Sequence, residues 1–518
     1  MSSSLIDRQR TVRADWIRSC AFALVAASGT VEAAQVHPRV LEAASRDGSA
    51  DVLLVLPEQS QPALAPLKAA ADYRVRRRAL IEALQGRAAS TQGSTRAWLD
   101  AHGIAHRDFW LANAIQARVP RAALEALAAR ADVARIDPNP PIAMHLPEPS
   151  ESVDSVSSAT ATDPAAGIGW GVAKIETPAV WDAGFDGQGV VIGGEDTGYQ
   201  WDHPALEPQY RGWNGAKANH NYNWHDAIHD SSGNPCGNDS PAPCDDVGHG
   251  TQTAGTFAGD DGASATPRHQ TGVAPGARWI GCRNMDRGVG TPARYIECMQ
   301  WMLAPTNLQD ANPRPDLAPD VISNSWACPQ SEGCTTADVL RSAVDNIVAA
   351  GIFYAAAAQN SGPGCSTIGS PPATYDSSFD VGATDGNDAL AMFSSRGPVG
   401  VDPLTRPDLS APGVSICSSF PTSMYVCYFT GTSAAAPHVA GAVAVLLSAY
   451  PWLKGQPDKV AGILRATALT QGVTNTPGVT QSCGGTPITQ WPNYMVGYGR
   501  LDVWNAYHEV IFENGFDG

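Results

Sequence analysis

The chain has 518 residues, 43% of them hydrophobic and 16% charged, a balance that belongs to folded domains rather than a disordered chain, and a length beyond one ordinary domain. Its net charge of −17 excludes a protein held to nucleic acid by phosphate contacts. The 50 glycines and 39 prolines are spread along the chain, which predicts many loops and no low-complexity tract.

In chain order, Arg8, Arg10, Arg13 and Arg18 precede an apolar run at 20–27 that is too short to span a bilayer. Small residues follow around Ala33, so 1–34 reads as a cleaved export signal and the product as secreted, to the medium or the periplasm. No later stretch reads as a membrane anchor. Residues 35–145 read as a small α+β domain: strand at 51–56, helix at 66–84, strand region at 109–119, helix at 120–130 and strand at 133–137. The basic run Arg74 to Arg78 reads as a solvated helix face, with docking to an acidic partner as the alternative. Residues 151–518 supply such acidity, with 16 basic and 36 acidic residues. Residues 146–167, rich in Pro, Ser and Ala, read as a linker.

From 168 to 508 the chain alternates buried strands and small-residue helices, which predicts an α/β fold. Four stretches carry chemistry. Val190 to Gly198 is a short strand ending in Asp196. Gly248-His249-Gly250-Thr251 opens a helix. Ala355 to Asn360 is an apolar run ending in an amide. Gly431-Thr432-Ser433 precedes a run of alanines and an apolar helix, placing Ser433 in a first turn where the helix dipole favours negative charge. A serine hydroxyl is a weak nucleophile and needs a base and an oxyanion site. Singly, these residues also suit turns and caps. Their order is Asp, His, Ser, whereas α/β-hydrolase esterases run Ser, acid, His and carry Gly two residues after the serine, which this chain lacks.

These stretches, with His203-Pro204-Ala205-Leu206, Gly272-Val273-Ala274-Pro275-Gly276-Ala277, Asn324-Ser325-Trp326 and Ser410-Ala411-Pro412-Gly413, resemble the subtilisin-like serine proteases, or subtilases, in the family's order. Within that family the chain resembles the bacillopeptidase F group. The resemblance implies a mainly parallel sheet with helices on both faces, preceded by a ferredoxin-like α+β prodomain. It implies Ser433 as nucleophile, His249 as base, Asp196 as the residue orienting it, and Asn360 with the Ser433 N–H as oxyanion donors. It implies substrate binding by Gly288-Val289-Gly290 and Ser325-Trp326-Ala327, with Gln359 and Gly369 lining the primary pocket. A large apolar or aromatic residue is expected there, since these stretches hold no acid. Residues 35–145 then become an inhibitory propeptide removed by self-cleavage in the linker, and 509–518 a short tail.

Four positions depart from the family pattern: Glu195 before Asp196, Gln252 where a second histidine is usual, Gln359 for a glycine, and Ala434 for a methionine. Ala434 predicts tolerance of oxidants, having no thioether beside the nucleophile. No cofactor is expected to be required. Calcium, common in subtilases, is in doubt because Ala205 replaces a usual ligand; Asp245, Asp246 and Asp260 are generic candidates. Removing Cys20 with the signal leaves ten cysteines, an even number suited to disulfides. Cys236 with Cys244, Cys328 with Cys334, and Cys417 with Cys427 are close enough in sequence to pair, though connectivity stays open. Protein substrates, the chain's own propeptide as inhibitor, and a monomer complete the expectation. An inactive binding module on the same fold and a serine esterase remain as alternatives.

Overall fold

The computed structural model describes residues 33–57, 72–147, 165–334, 337–400 and 405–513. Nearly all of the expected signal, most of the expected linker and residues 514–518 lie outside them. The N-terminal domain runs β1 (Gln35–Val36), α1 (Pro38–Asp47), β2 (Ser49–Val55), α2 (Tyr73–Ala101), β3 (His106–Phe109), β4 (Ala114–Pro120), α3 (Arg121–Ala128) and β5 (Arg135–Pro138). Its sheet order is β1-β5-β2-β4-β3, with β2 antiparallel to β4 and β5. From β2 onward this is a ferredoxin-like split βαβ arrangement.

Of the helix expected at 66–84, residues 66–71 lie outside the described residues; the helix described runs Tyr73–Ala101, beyond the expected end, and the Asp72 carboxylate accepts from Arg74 N–H at 2.8 Å as an N-cap. Its basic run is only partly solvated: Arg74 and Arg78 are exposed, whereas Arg76 and Arg77 turn inward. Arg77 is buried and donates to the Ala350 carbonyl at 3.2 Å, and Arg76 donates to that of Gly455. At these two arginines the partners are carbonyls of the second domain rather than acids, while Arg107 pairs with Glu297 at 3.2 Å. The unbroken apolar run of β2 has the same origin. Val52 and Leu54 pack on the domain's own core, while Leu53 and Val55 join a cluster with Ile296, Met299, Leu340 and Val344 of the second domain. A strand covered on both faces loses the usual polar alternation.

A short strand β6 (Ile142–Ala143) leads out of this domain. The second domain holds β7 (Val191–Asp196), β8 (Trp224–Asp226), α4 (His249–Ala258), β9 (Arg278–Arg283), β10 (Val289–Gly290), α5 (Pro292–Leu303), β11 (Val321–Asn324), α6 (Ala337–Ala349), β12 (Phe353–Ala357), β13 (Phe379–Thr384), β14 (Leu409–Pro412), β15 (Ile416–Phe420), β16 (Met424–Phe429), α7 (Thr432–Ala449), α8 (Pro457–Ala466) and α9 (Val503–Glu513). Seven strands form one sheet in the order β14-β13-β12-β11-β7-β9-β8, every pair parallel. Alternate residues serve opposite faces: Val321 and Ala355 pack with α4 and α7, Ile322 and Tyr354 with α5 and α6. Helix α9 continues past 508 and buries Val510 in the core, so the expected tail at 509–518 is in part a structural helix.

Helix α7 is long and apolar enough by composition to cross a bilayer, contrary to the expectation of no further such stretch, but 89% of it is buried inside this domain. It is a core helix. Five disulfides join Cys236–Cys244, Cys282–Cys298, Cys328–Cys334, Cys365–Cys483 and Cys417–Cys427. Three are the close pairs expected. The other two depend on the fold: Cys282 and Cys298 meet where α5 packs on β9, and Cys365 reaches a partner 118 residues away.

Candidate active site

Strand β7 ends at Asp196 and α4 begins at His249, and close packing brings the two together. A Cβ at Gly250 would lie 2.0 Å from the Gly198 carbonyl oxygen and 3.0 Å from Asp196 Cβ, so a side chain there would push the helix off the strand end. With glycine present, His249 Nδ1 stands 2.7 Å from Asp196 Oδ1, both residues almost fully buried. The Asp196 carboxylate also accepts from Thr197 N–H at 2.7 Å. Burial alone would depress the His249 imidazole. The Asp196 charge and hydrogen bond, with Asp245 beyond, outweigh burial and hold its pKa above the ordinary value. The ring stands edge-on to Phe429, 5.5 Å between centroids.

Asp245, only a generic calcium candidate in the sequence, has a structural part in the site. Its Oδ1 accepts from Thr197 Oγ1 at 2.8 Å and Gly248 N–H at 2.8 Å; its Oδ2 accepts from Thr251 N–H at 2.9 Å and Oγ1 at 2.6 Å. It thus ties the turn after Asp196 to the first turn of α4. Asp246 is engaged by Arg283 at 2.9 Å and Asp260 by Arg268 at 2.6 Å. The three do not converge, and among the described residues no group of three acids, histidines or cysteines could hold a metal. These side chains do not fit a calcium site.

Ser433 lies in the first turn of α7. The preceding Gly431 has φ +151°, and a Cβ on it would lie 2.8 Å from Ser433 Oγ and 3.6 Å from Asn360 Nδ2. Glycine keeps that space open. The Asn360 side-chain oxygen accepts from Thr432 N–H at 2.9 Å and Thr432 Oγ1 at 3.0 Å. This caps the helix and turns the amide NH2 toward the cleft. Pro437 lacks an N–H for the Ser433 carbonyl one turn back; Ser325 Oγ donates to that carbonyl instead, at 3.2 Å. Ser433 Oγ and His249 Nε2 are both buried without a hydrogen bond, and such bonds are often long before substrate chemistry begins.

The other expected residues surround the same cleft. Ser325, Trp326, Ala327, Gln359 and Gly369 line it with His249, Asn360 and Ser433. Trp326 is buried and stacked on Tyr295 at 3.9 Å. Gln359 adopts φ +76° and its amide donates to the Ser370 carbonyl at 2.6 Å, while a Cβ at Gly369 would meet nothing within 4 Å. The pocket is open on one wall and polar on the other. Gly288, Val289 and Gly290 form the cleft edge, where β10 pairs antiparallel with β6, Val289 opposite Ala143 and Gly290 opposite Ile142. Met144 N–H donates to the Gly288 carbonyl at 2.8 Å, and Asn360 Nδ2 donates to the His145 carbonyl at 3.0 Å. The chain's own residues 142–146 therefore lie through the cleft as an added strand.

Glu195 does not disturb this arrangement. It is fully buried and neither oxygen has a hydrogen-bond partner. Burial pushes its carboxyl well above the usual range, opposed only by the nearby Trp326 indole, which makes no regular hydrogen bond to it. Burial thus favours its neutral, protonated form. Ala434 is buried against Ile416 and Phe429.

Comparison with known proteins agrees with this geometry. The model of the Subtilase family matches residues 187–486. Bacillopeptidase F of Bacillus subtilis (strain 168) is 36% identical over 350 residues, covering 66% of this chain and 22% of that protein. Subtilisin E of the same strain is 33% identical over 293 residues, covering 56% of this chain and 64% of that protein. Subtilisin DY of Bacillus licheniformis is 34% identical over 308 residues, covering 59% of this chain and 93% of that protein. The chain spans about a fifth of bacillopeptidase F and just under two thirds of subtilisin E.

Proposed function

We propose that this chain, which belongs to the subtilase family, is a secreted serine endopeptidase made as a self-processing zymogen. The observation that carries the proposal is the meeting, in one cleft, of an Asp196–His249 pair, Ser433 and Asn360, with an extended peptide segment across them. Ser433 Oγ attacks the substrate carbonyl as His249 Nε2 takes its proton. The Asp196 hydrogen bond holds the imidazole tautomer and stabilises the imidazolium. Asn360 Nδ2 and the Ser433 N–H stabilise the negative charge that develops on the carbonyl oxygen. His249 then protonates the leaving amine, and water hydrolyses the acyl-enzyme by the same route.

Residues 35–145 act as the propeptide. Their docking on α5 and α6, with the exit segment occupying the substrate path, supports an intramolecular inhibitor. Five disulfides support folding in an oxidising compartment, hence export. Substrates are unfolded or extended protein segments bound mainly through their main chain, and the enzyme works as a monomer without a required cofactor. The test is digestion of casein by protein expressed from the full chain, beside Ser433→Ala. The variant is expected to stay full length and inactive. Normal processing of a pure Ser433→Ala preparation contradicts self-cleavage.

A further inference from the structure

Residues 142–146 enter the cleft in one definite register. Ile142 and Ala143 pair with Gly290 and Val289, Met144 N–H reaches the Gly288 carbonyl, and the next carbonyl, that of His145, accepts from Asn360 Nδ2 at 3.0 Å. A donor placed for a developing oxyanion marks the carbonyl that is attacked. The bond that follows that carbonyl is His145–Leu146. Opposite this segment stands Glu332, at the end of a 3-10 turn inside the loop closed by Cys328–Cys334. One Glu332 oxygen accepts from Ala143 N–H at 2.7 Å, and the other is hydrogen-bonded to His145 Nε2. A single carboxylate thus holds the backbone of one residue and the side chain of the residue whose carbonyl meets Asn360. The pocket wall at Gln359 and Gly369 remains uncommitted to the imidazole.

We infer that Glu332 is a specificity-determining residue that selects an N–H-bearing basic side chain, histidine foremost, before the cleaved bond, and that His145–Leu146 is the chain's own first substrate. This rests on the protease reading above. It replaces the expectation of a large apolar residue, which considered only the two strand-like segments and the pocket floor. In the cut, Ser433 Oγ bonds to the His145 carbonyl carbon. The hydroxyl proton passes through His249 to the Leu146 nitrogen as the C–N bond breaks. Water then cleaves the ester, leaving a His145 carboxylate and a Leu146 amino terminus.

The experiment uses protein expressed from the full chain and peptides Ile-Ala-Met-X-Leu, with X as His, Lys, Phe or Glu. Wild type should yield a fragment beginning at Leu146. It should cleave X = His about five- to tenfold better in kcat/KM than X = Phe, as a half-exposed charge-assisted hydrogen bond allows. Glu332→Ala should raise KM for every peptide through the lost Ala143-type contact and abolish the His-over-Phe ratio. Glu332→Gln, which keeps an acceptor in the same shape, should retain part of that ratio. A first cut elsewhere, or an unchanged ratio in Glu332→Ala, overturns this inference while leaving the protease reading intact. No hydrolysis of any peptide by wild type overturns both.

Discussion

Glu195 offers a test of the interior that needs no assumption about substrate. Its carboxyl is buried, lacks hydrogen-bond partners and is pushed well above 4.5. Near neutral pH the folded chain therefore holds a proton that the unfolded chain has released. The folded state binds more protons, so its stability falls as pH rises above the unfolded carboxyl value, by about 1.4 kcal/mol per pH unit. Glu195→Gln is close in shape and neutral in both states, so this slope vanishes. Between pH 5 and pH 7 the variant should gain on its parent, by at most about 3 kcal/mol, the limit for an unfolded carboxyl near 4.5 and a folded one protonated throughout. The assay is urea unfolding followed by tryptophan fluorescence, in a Ser433→Ala background that prevents autolysis, at both pH values. A stability difference that does not change with pH refutes the reasoning, because it means Glu195 is ionised in the folded protein beside the Asp196 strand end. With Ser433 present, Glu195→Gln should keep kcat/KM within about twofold, since no charge is removed at neutral pH.

Further outcomes concern the cleft itself. His249 must be neutral to act as base and its pKa is held above the ordinary value; kcat/KM should therefore rise with pH through a midpoint above about 6.5, and a midpoint below that contradicts the Asp196 assignment. Asn360→Ala should lower kcat by about 10²–10³, the magnitude found for such a donor in a subtilisin, with KM for short peptides little changed; loss confined to KM points to a helix-capping role alone. Ala434, next to the nucleophile, is buried and carries no thioether, so activity should survive dilute peroxide; rapid inactivation with Ser433 unmodified contradicts that expectation.

Much of the site was legible because its chemistry is local in sequence. Asp196 ends a strand, His249 and Ser433 begin helices, and the glycines beside them sit where a Cβ would collide. The parallel sheet was expected through the family resemblance, and three of the disulfides join cysteines close enough in sequence to be candidates. What escaped depends on tertiary approach. Asp245 looked like one acid among many until its oxygens were seen to join the Asp196 turn to the His249 helix. Glu332 lies outside every segment that suggested substrate contact, and only the disulfide-closed loop returns it to the cleft. Arg76 and Arg77 of α2 were not separable from their exposed neighbours Arg74 and Arg78, because their partners are backbone carbonyls, which leave no mark in the sequence. Asp72, which caps the helix at Tyr73–Ala101, was passed over because Pro66 offered a start signal.

Covalent labelling of the nucleophile tests the central claim most directly. A fluorophosphonate should modify the processed protein at one site, the peptide carrying Ser433, and both Ser433→Ala and His249→Ala should abolish the adduct. Absence of labelling in a processed wild-type protein, or an adduct at another serine, contradicts the assignment of this cleft as a serine protease active site.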